Sequence, residues 1–252
     1  MVSNSRYGGP SMIQAALNGD RVPSDHPAVP FSIDQLIRDA VACVAAGAGA
    51  IHLHPRNSDG RESLEPDVVN EVVTKVREAC GVPVGVTTGE WIEPDFERRL
   101  SMIRGWTAPD YTSVNISEPG STEVMQALID VGVGIEAGVW CVEDVDQLAA
   151  SGLGHKVLRV LVEPGELQVS DDAAVLSLIE EIHSALDRHG LTAPRLQHAD
   201  GKVTWAALTD AIRRGLDTRV GLEDTLYGPD SKLTAGNAAL VEAAAQIRVG
   251  IY

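Results

Sequence analysis

Cysteine is scarce in this 252-residue chain: there are three, Cys43, Cys80 and Cys141, widely spaced. An odd, dispersed set supplies neither a disulfide framework nor a CxxC metal site. Aromatic side chains make up only 4% of the residues, and Trp106, Trp140 and the others are read as packing residues rather than a stacking surface. Basic residues are outnumbered, 20 Lys and Arg against 36 Asp and Glu, for a net charge of −16. That balance excludes nucleic acid and anionic membrane surfaces as general partners. It leaves room for an anionic small molecule met by a local arginine. No apolar run reaches the length of a membrane span, and residues 1–11 form a polar extension with no apolar core. The expectation is a cytoplasmic protein. P-loop, HExxH and EF-hand patterns are missing as well. Gly132-x-Gly134-x-x-x-Gly138 misses the dinucleotide-binding spacing by one residue and falls on an expected strand. Asn115-Ile-Ser117 fits a glycosylation sequon, which means little without a signal peptide.

What the chain does have is alternation. Hydrophobic residues at 44% suffice for one large core. Short apolar runs at 12–17, 50–56, 83–89, 111–117, 134–140, 156–163, 195–200 and 218–224 are predicted strands. Between and after them, helical spacing predicts helices over 33–46, 66–80, 94–105, 121–131, 142–150, 171–189, 203–214 and 235–247. Ser32 is placed to cap the first helix, and Gly47, Gly81, Gly152, Gly190 and Gly215 to end five of them. Eight strand–helix units, each about thirty residues, imply a parallel sheet. With this length they imply a single α/β domain over 1–252, a (β/α)8 TIM barrel.

In such a barrel the chemistry gathers at the C-terminal ends of the strands. The run Ala50-Ile51-His52-Leu53-His54-Pro55-Arg56 puts two histidines there. Residues i and i+2 of a strand share a face, so both imidazoles can bind one zinc ion or a similar metal. Thr87, Thr88, Asn115, Ser117, Glu163, His198 and Asp200 are further polar strand ends. Glu136 stands out because apolar residues or glycines flank it on both sides, and Glu223 because the run Val220-Gly221-Leu222 precedes it. An ionisable group in such a run is costly unless paired or metal-bound. Glu223 is the natural third ligand, and two imidazoles plus a carboxylate leave a fourth position open for substrate. Arg219, four residues earlier, shares its strand face. Asp224 points to the other face within a strand, but at the strand end it can turn back over the mouth and act as general base.

These residues have a resemblance. Gly47-Ala-Gly-Ala-Ile-His52-Leu-His54-Pro-Arg56, Thr87-Thr88-Gly89 and Thr218-Arg219-Val-Gly-Leu-Glu223-Asp224-Thr-Leu-Tyr227 are similar to motifs of the β-keto acid cleavage enzyme family, in order, within a likeness running from Met12 to about Arg248. The resemblance implies a zinc-dependent acyltransferase on a (β/α)8 barrel. It implies that a β-keto acid condenses with acetyl-CoA and is cleaved to acetoacetate and a new acyl-CoA. It implies a homo-oligomer, tetramer or dimer. It also implies that His52, His54 and Glu223 bind zinc, that Asp224 removes the C2 proton, and that Arg219 and Glu136 orient and tune it. Thr88, Gly89 and Ser117 then fall near the substrate. The loop Asn18-Gly19-Asp20-Arg21 departs from the family pattern for an amino-bearing keto acid, and Arg21 suits an anionic or neutral substrate tail. Two other readings of the same residues stand beside this one. One is a metal-dependent aldolase or lyase acting on an enolate without CoA. The other is a non-catalytic barrel that keeps its metal for stability. Cobalt or nickel would accept the same donors as zinc.

Overall fold

Eight parallel strands, paired in chain order and with β8 returning to β1, close into a barrel in this computed structural model, which describes residues 11–165, 169 and 171–251. The strands are β1 (Ile13–Ala16), β2 (Ala50–Leu53), β3 (Val84–Thr87), β4 (Tyr111–Asn115), β5 (Gly134–Val139), β6 (Arg159–Val162), β7 (Arg195–Gln197) and β8 (Asp217–Val220). The helices are α1 (Ile33–Ala45), α2 (Pro66–Cys80), α3 (Phe96–Ile103), α4 (Ser121–Val131), α5 (Val142–Ala150), α6 (Asp172–Arg188), α7 (Thr204–Arg214) and α8 (Asn237–Ile251). The expected (β/α)8 architecture is the observed one. Barrel strands are covered on both faces, and β1, β2 and β3 are buried at every position. The three cysteines are free. Among the described residues no helix is long and apolar enough to cross a membrane.

Local chemistry sets the helix starts. Ser32 accepts from the Gln35 amide while the Gln35 side chain accepts from the Ser32 amide, a reciprocal cap for α1. Expected at residue 94, α3 instead begins at Phe96, because Asp95 caps it by accepting from the Arg98 amide. Two residues later than expected, α8 begins at Asn237, whose side chain is spent on the barrel. It accepts from the Leu222 amide at 2.6 Å and donates to the Leu17 carbonyl at 2.8 Å and to Asp39 at 2.6 Å. The eighth strand ends at Val220, earlier than its apolar pattern suggests. At Gly221 the chain presses on β1 so closely that a Cβ would lie 1.8 Å from the Ala16 carbonyl oxygen. Residues 221–225 then close a turn, with Asp224 and Thr225 amides donating to the Gly221 carbonyl at 3.0 and 2.9 Å.

The aliphatic core lies between the sheet and the helices, built from residues such as Leu36, Val69, Val72, Ile103, Leu128, Ile179 and Leu208. Part of the barrel interior is polar. Gln14 donates to Glu136 at 2.8 Å and to the Tyr111 hydroxyl at 3.1 Å, and that hydroxyl donates to the Ile51 carbonyl at 2.6 Å. Arg159 lies between Glu136, at 2.9 Å, and Asp217, at 3.3 Å.

Asp39 is half-buried on α1, and burial raises its carboxyl from the usual 3.8 to about 6 despite the Asn237 hydrogen bond. The folded state therefore binds this proton more tightly than the unfolded chain does. Its contribution to stability is full below about pH 4 and is lost as pH rises through about 6. In urea melts across this range, wild-type stability is expected to fall about 1–2 kcal/mol more steeply than that of Asp39→Asn.

Candidate active site

The C-terminal mouth of the barrel holds a cavity of about 400 Å³. His52 sits in β2. His54 lies one residue past that strand's end and Glu223 in the turn after β8. Fold closure brings these two segments to opposite sides of β1. His52 Nε2 lies 3.7 Å and His54 Nε2 3.6 Å from Glu223 Oε1, and the three donors fall within 4.8 Å of one another. This is near the edge of about 3.3 Å expected for a tetrahedron with 2 Å bonds.

The protonation states suit a cation. Burial lowers His52 to about 3, which keeps its imidazole neutral with a free lone pair. Burial acts to raise Glu223, but the charge and hydrogen bond of Arg219 hold the carboxyl well below its usual range. Glu223 Oε2 is buried with no hydrogen-bond partner, an orphan that an ion would satisfy. Glu62 receives the Nδ1 proton of His54 at 2.5 Å and so turns Nε2 towards Glu223. The residues present fit a divalent metal with an open coordination position.

Arg219 joins this cluster to the next group. Its Nη2 donates to Glu223 at 2.5 Å and to Asp224 at 2.7 Å, and its Nε donates to Asp224 at 3.1 Å. Burial raises the Asp224 carboxyl above the usual range, with Arg219 acting against it. Two adjacent carboxylates are thus pushed in opposite directions. One is held ionised among the imidazoles, and the other is left the stronger base. Across the cavity, His198 Nε2 donates to Glu163 at 3.0 Å, and Trp140 Nε1 donates to the same carboxylate at 3.2 Å. His198 Nδ1 lies 3.9 Å from Asp224.

The structure brings His52, His54, Arg219, Glu223 and Asp224 together and separates the other expected site residues from them. Glu136 is fully buried and bonds to Gln14 and Arg159, not to Arg219 or Asp224. Thr88 is buried, does not line the cavity, and donates to the Ser113 carbonyl at 2.8 Å. It is the neighbouring Thr87 that faces the cavity, because alternate residues of a strand take opposite faces. Gly89 lies beneath the Trp91 ring, outside the lining. Ser117 is exposed on the turn after β4, since that strand stops at Asn115. Ser113 and Asn115 line the cavity instead. Glu62 and Trp91 were missed. Their signal was the Asn57-Ser58-Asp59-Gly60 turn, which returns the chain so that Glu62 bridges Arg56 and reaches His54. Trp91 stacks 6.3 Å from the His54 ring and donates to Glu62 at 3.3 Å.

Fold and site together define a (β/α)8 barrel whose mouth carries a three-donor, metal-type cluster beside a buried carboxylate base. The chain belongs to the beta-keto acid cleavage enzyme family, whose signature matches residues 10–250, and it is an acyltransferase of that kind. It is similar to the 3-keto-5-aminohexanoate cleavage enzyme of Fusobacterium nucleatum subsp. nucleatum, 33% identical over 245 residues, 92% of this chain and 88% of the relative. It is also similar to the 3,5-dioxohexanoate:acetyl-CoA acetone transferase of Paraburkholderia graminis, 34% identical over 271 aligned positions, 91% of this chain and 86% of the relative. A shorter match, 37% identical over 82 residues, joins 32% of the chain to 29% of the 3-oxoadipate:acetyl-CoA acetyltransferase of Cupriavidus necator. Among solved structures, apo ObcA matches with a TM-score of 0.71 at 15% identity, over 89% of this chain and 62% of that one. The dihydropteroate synthase of Yersinia pestis matches at 0.59 and 16% identity, over 96% and 94%. These two share the fold.

Glu62→Gln keeps the shape at His54 but removes the anion behind it. Metal affinity, measured by competition with a chelator, is expected to fall about ten- to a hundredfold.

Proposed function

We propose that this enzyme condenses a β-keto acid with acetyl-CoA and cleaves the adduct to acetoacetate and a new acyl-CoA, with zinc held by His52, His54 and Glu223. The observation that carries this is the pair Glu223 and Asp224, consecutive residues of opposite acidity bound to one arginine at one cavity. The relatives named as acetyl-CoA transferases supply the co-substrate. Zinc suits two imidazoles and a carboxylate, and cobalt or nickel would serve as replacements. When bound, such a metal polarises the keto and carboxylate oxygens of the substrate and makes the C2 proton acidic.

The protein does the remainder. Asp224 takes the C2 proton onto its carboxylate, leaving a carbon nucleophile that attacks the acetyl carbonyl and expels the coenzyme thiolate as the thioester C–S bond breaks. Arg219 keeps that carboxylate oriented and holds charge near it through both steps. When the coenzyme thiolate attacks the original keto carbon and the C2–C3 bond breaks, the protonated Asp224 returns its proton to C2 of acetoacetate. Glu136 supports the site from below, through the buried Gln14 and Arg159 contacts that fix the barrel interior. Thr87 and Ser113 face the reacting groups, while Thr88 secures the β3–β4 edge behind them. A homo-oligomer in the cytoplasm, dimer or tetramer, completes this reading. The exposed apolar side chains of Tyr227, Leu233 and Val249 supply surface for association.

A panel of β-keto acids differing in tail charge, assayed with acetyl-CoA and zinc, is expected to yield acetoacetate from at least one member. Cleavage that proceeds equally without acetyl-CoA would sink this reading in favour of an aldolase or lyase. Asp224→Asn is expected to lower kcat by about a hundredfold or more while bound metal is retained. Unchanged turnover would argue instead for a metal kept only for stability.

A further inference from the structure

β1 gives no donor to the cluster, yet its C-terminal end touches the segments that carry all three. Leu17 donates its amide to the His52 carbonyl at 2.9 Å. The Ala16 carbonyl accepts the Glu223 amide at 3.3 Å. Gly19 has φ +53°, and a Cβ there would lie 2.6 Å from Glu223 Cγ, so the glycine leaves room for the ligand's side chain. Between them is Asn18, fully buried.

His54 follows the last residue of β2 and is buried, with no strand pairing of its own peptide groups. Asn18 supplies it. Its Oδ1 accepts from the His54 amide at 2.9 Å, and its Nδ2 donates to the His54 carbonyl at 3.0 Å. A side-chain amide here replaces the backbone amide that a longer β1 would have offered. Arg56 anchors the loop beyond, donating to the Gly19 and Arg21 carbonyls at 3.0 and 2.8 Å. With Glu62 on Nδ1 and Asn18 on both peptide groups, His54 is held at its ring and at its backbone.

We propose that Asn18 is a positioning residue for the metal cluster, fixing the His54 backbone so that Nε2 meets Glu223 before any ion arrives. The inference rests on His52, His54 and Glu223 being the metal site. Both hydrogen bonds end on a donor's own peptide groups, so their loss moves that donor first. Asn18→Ala strands a buried N–H and C=O, which must turn towards other partners and carry the imidazole with them.

The test is titration of metal-free protein with Co2+ against a competing chelator, following the visible absorption of bound cobalt, alongside thermal melts. Asn70→Ala is the comparison, because Asn70 also spends its amide on backbone, at Gly105, Thr107 and Ala108, away from the cluster. Asn18→Ala is expected to bind cobalt about tenfold or more weakly and to shift the band, whereas Asn70→Ala lowers the melting temperature and leaves affinity unchanged. Should Asn18→Ala fail to fold, Asn18→Asp keeps the acceptor for His54 N–H and is expected to show the same weakening. Wild-type affinity and band in a folded Asn18 variant would overturn the role of Asn18 alone. Failure of the wild-type chain to bind cobalt would overturn the metal reading and this inference together.

Discussion

Inside the barrel mouth, one guanidinium is shared by two carboxylates that follow it by four and five residues. Arg219 is 5% exposed, and it bonds to Glu223 and Asp224 at once. A cation so far from water is tolerable only with anions on its donors, and each anion in turn needs that cation. The arrangement holds Glu223 towards the imidazoles and Asp224 towards the cavity. It also sets their different acidities, because Arg219 outweighs burial at Glu223, whereas burial outweighs Arg219 and His198 at Asp224. Removing the arginine would leave a buried carboxylate beside a half-buried one, and one would have to take up a proton. The ligand and the base are therefore consequences of a single ion-pairing requirement.

The polar interior beneath the mouth follows the same rule. Barrels usually fill this space with branched aliphatics, whereas here Gln14, Tyr111, Glu136 and Arg159 form a hydrogen-bonded set. Such a set is geometrically specific, since each member fixes its partner's rotamer. Stability comes instead from the aliphatic layer between sheet and helices. The two layers divide the work, with apolar packing closing the barrel and polar pairing aiming the side chains within it.

Much of this was legible beforehand because it depends on local periodicity. Strand–helix alternation gave all eight units, and the i, i+2 spacing of His52 and His54 gave the paired imidazoles. The apolar run Val220-Gly221-Leu222 ahead of Glu223 marked it as a charge needing a partner. Local reasoning faltered where strands end, since face alternation holds only while the strand continues. Ser117 shares parity with Ser113 and Asn115, but β4 stops at Asn115 and the next residues turn outward. Thr88 shares a motif with Thr87 yet faces away from the cavity, bonding to β4. In the turn after β8, by contrast, Asp224 escapes strand parity altogether and reaches the same arginine as Glu223.

The sequence by itself determined the barrel, the donor types and the strands that carry them, because those follow from hydrophobic period and from residue chemistry. Only the tertiary structure decided which side chains meet. Closure of β8 on β1 puts residues from opposite ends of the chain within bonding reach, and the side chains of Asn18 and Asn237 reach across elements to hold that junction. Contacts of this kind depend on distances between segments far apart along the chain, which no local pattern encodes.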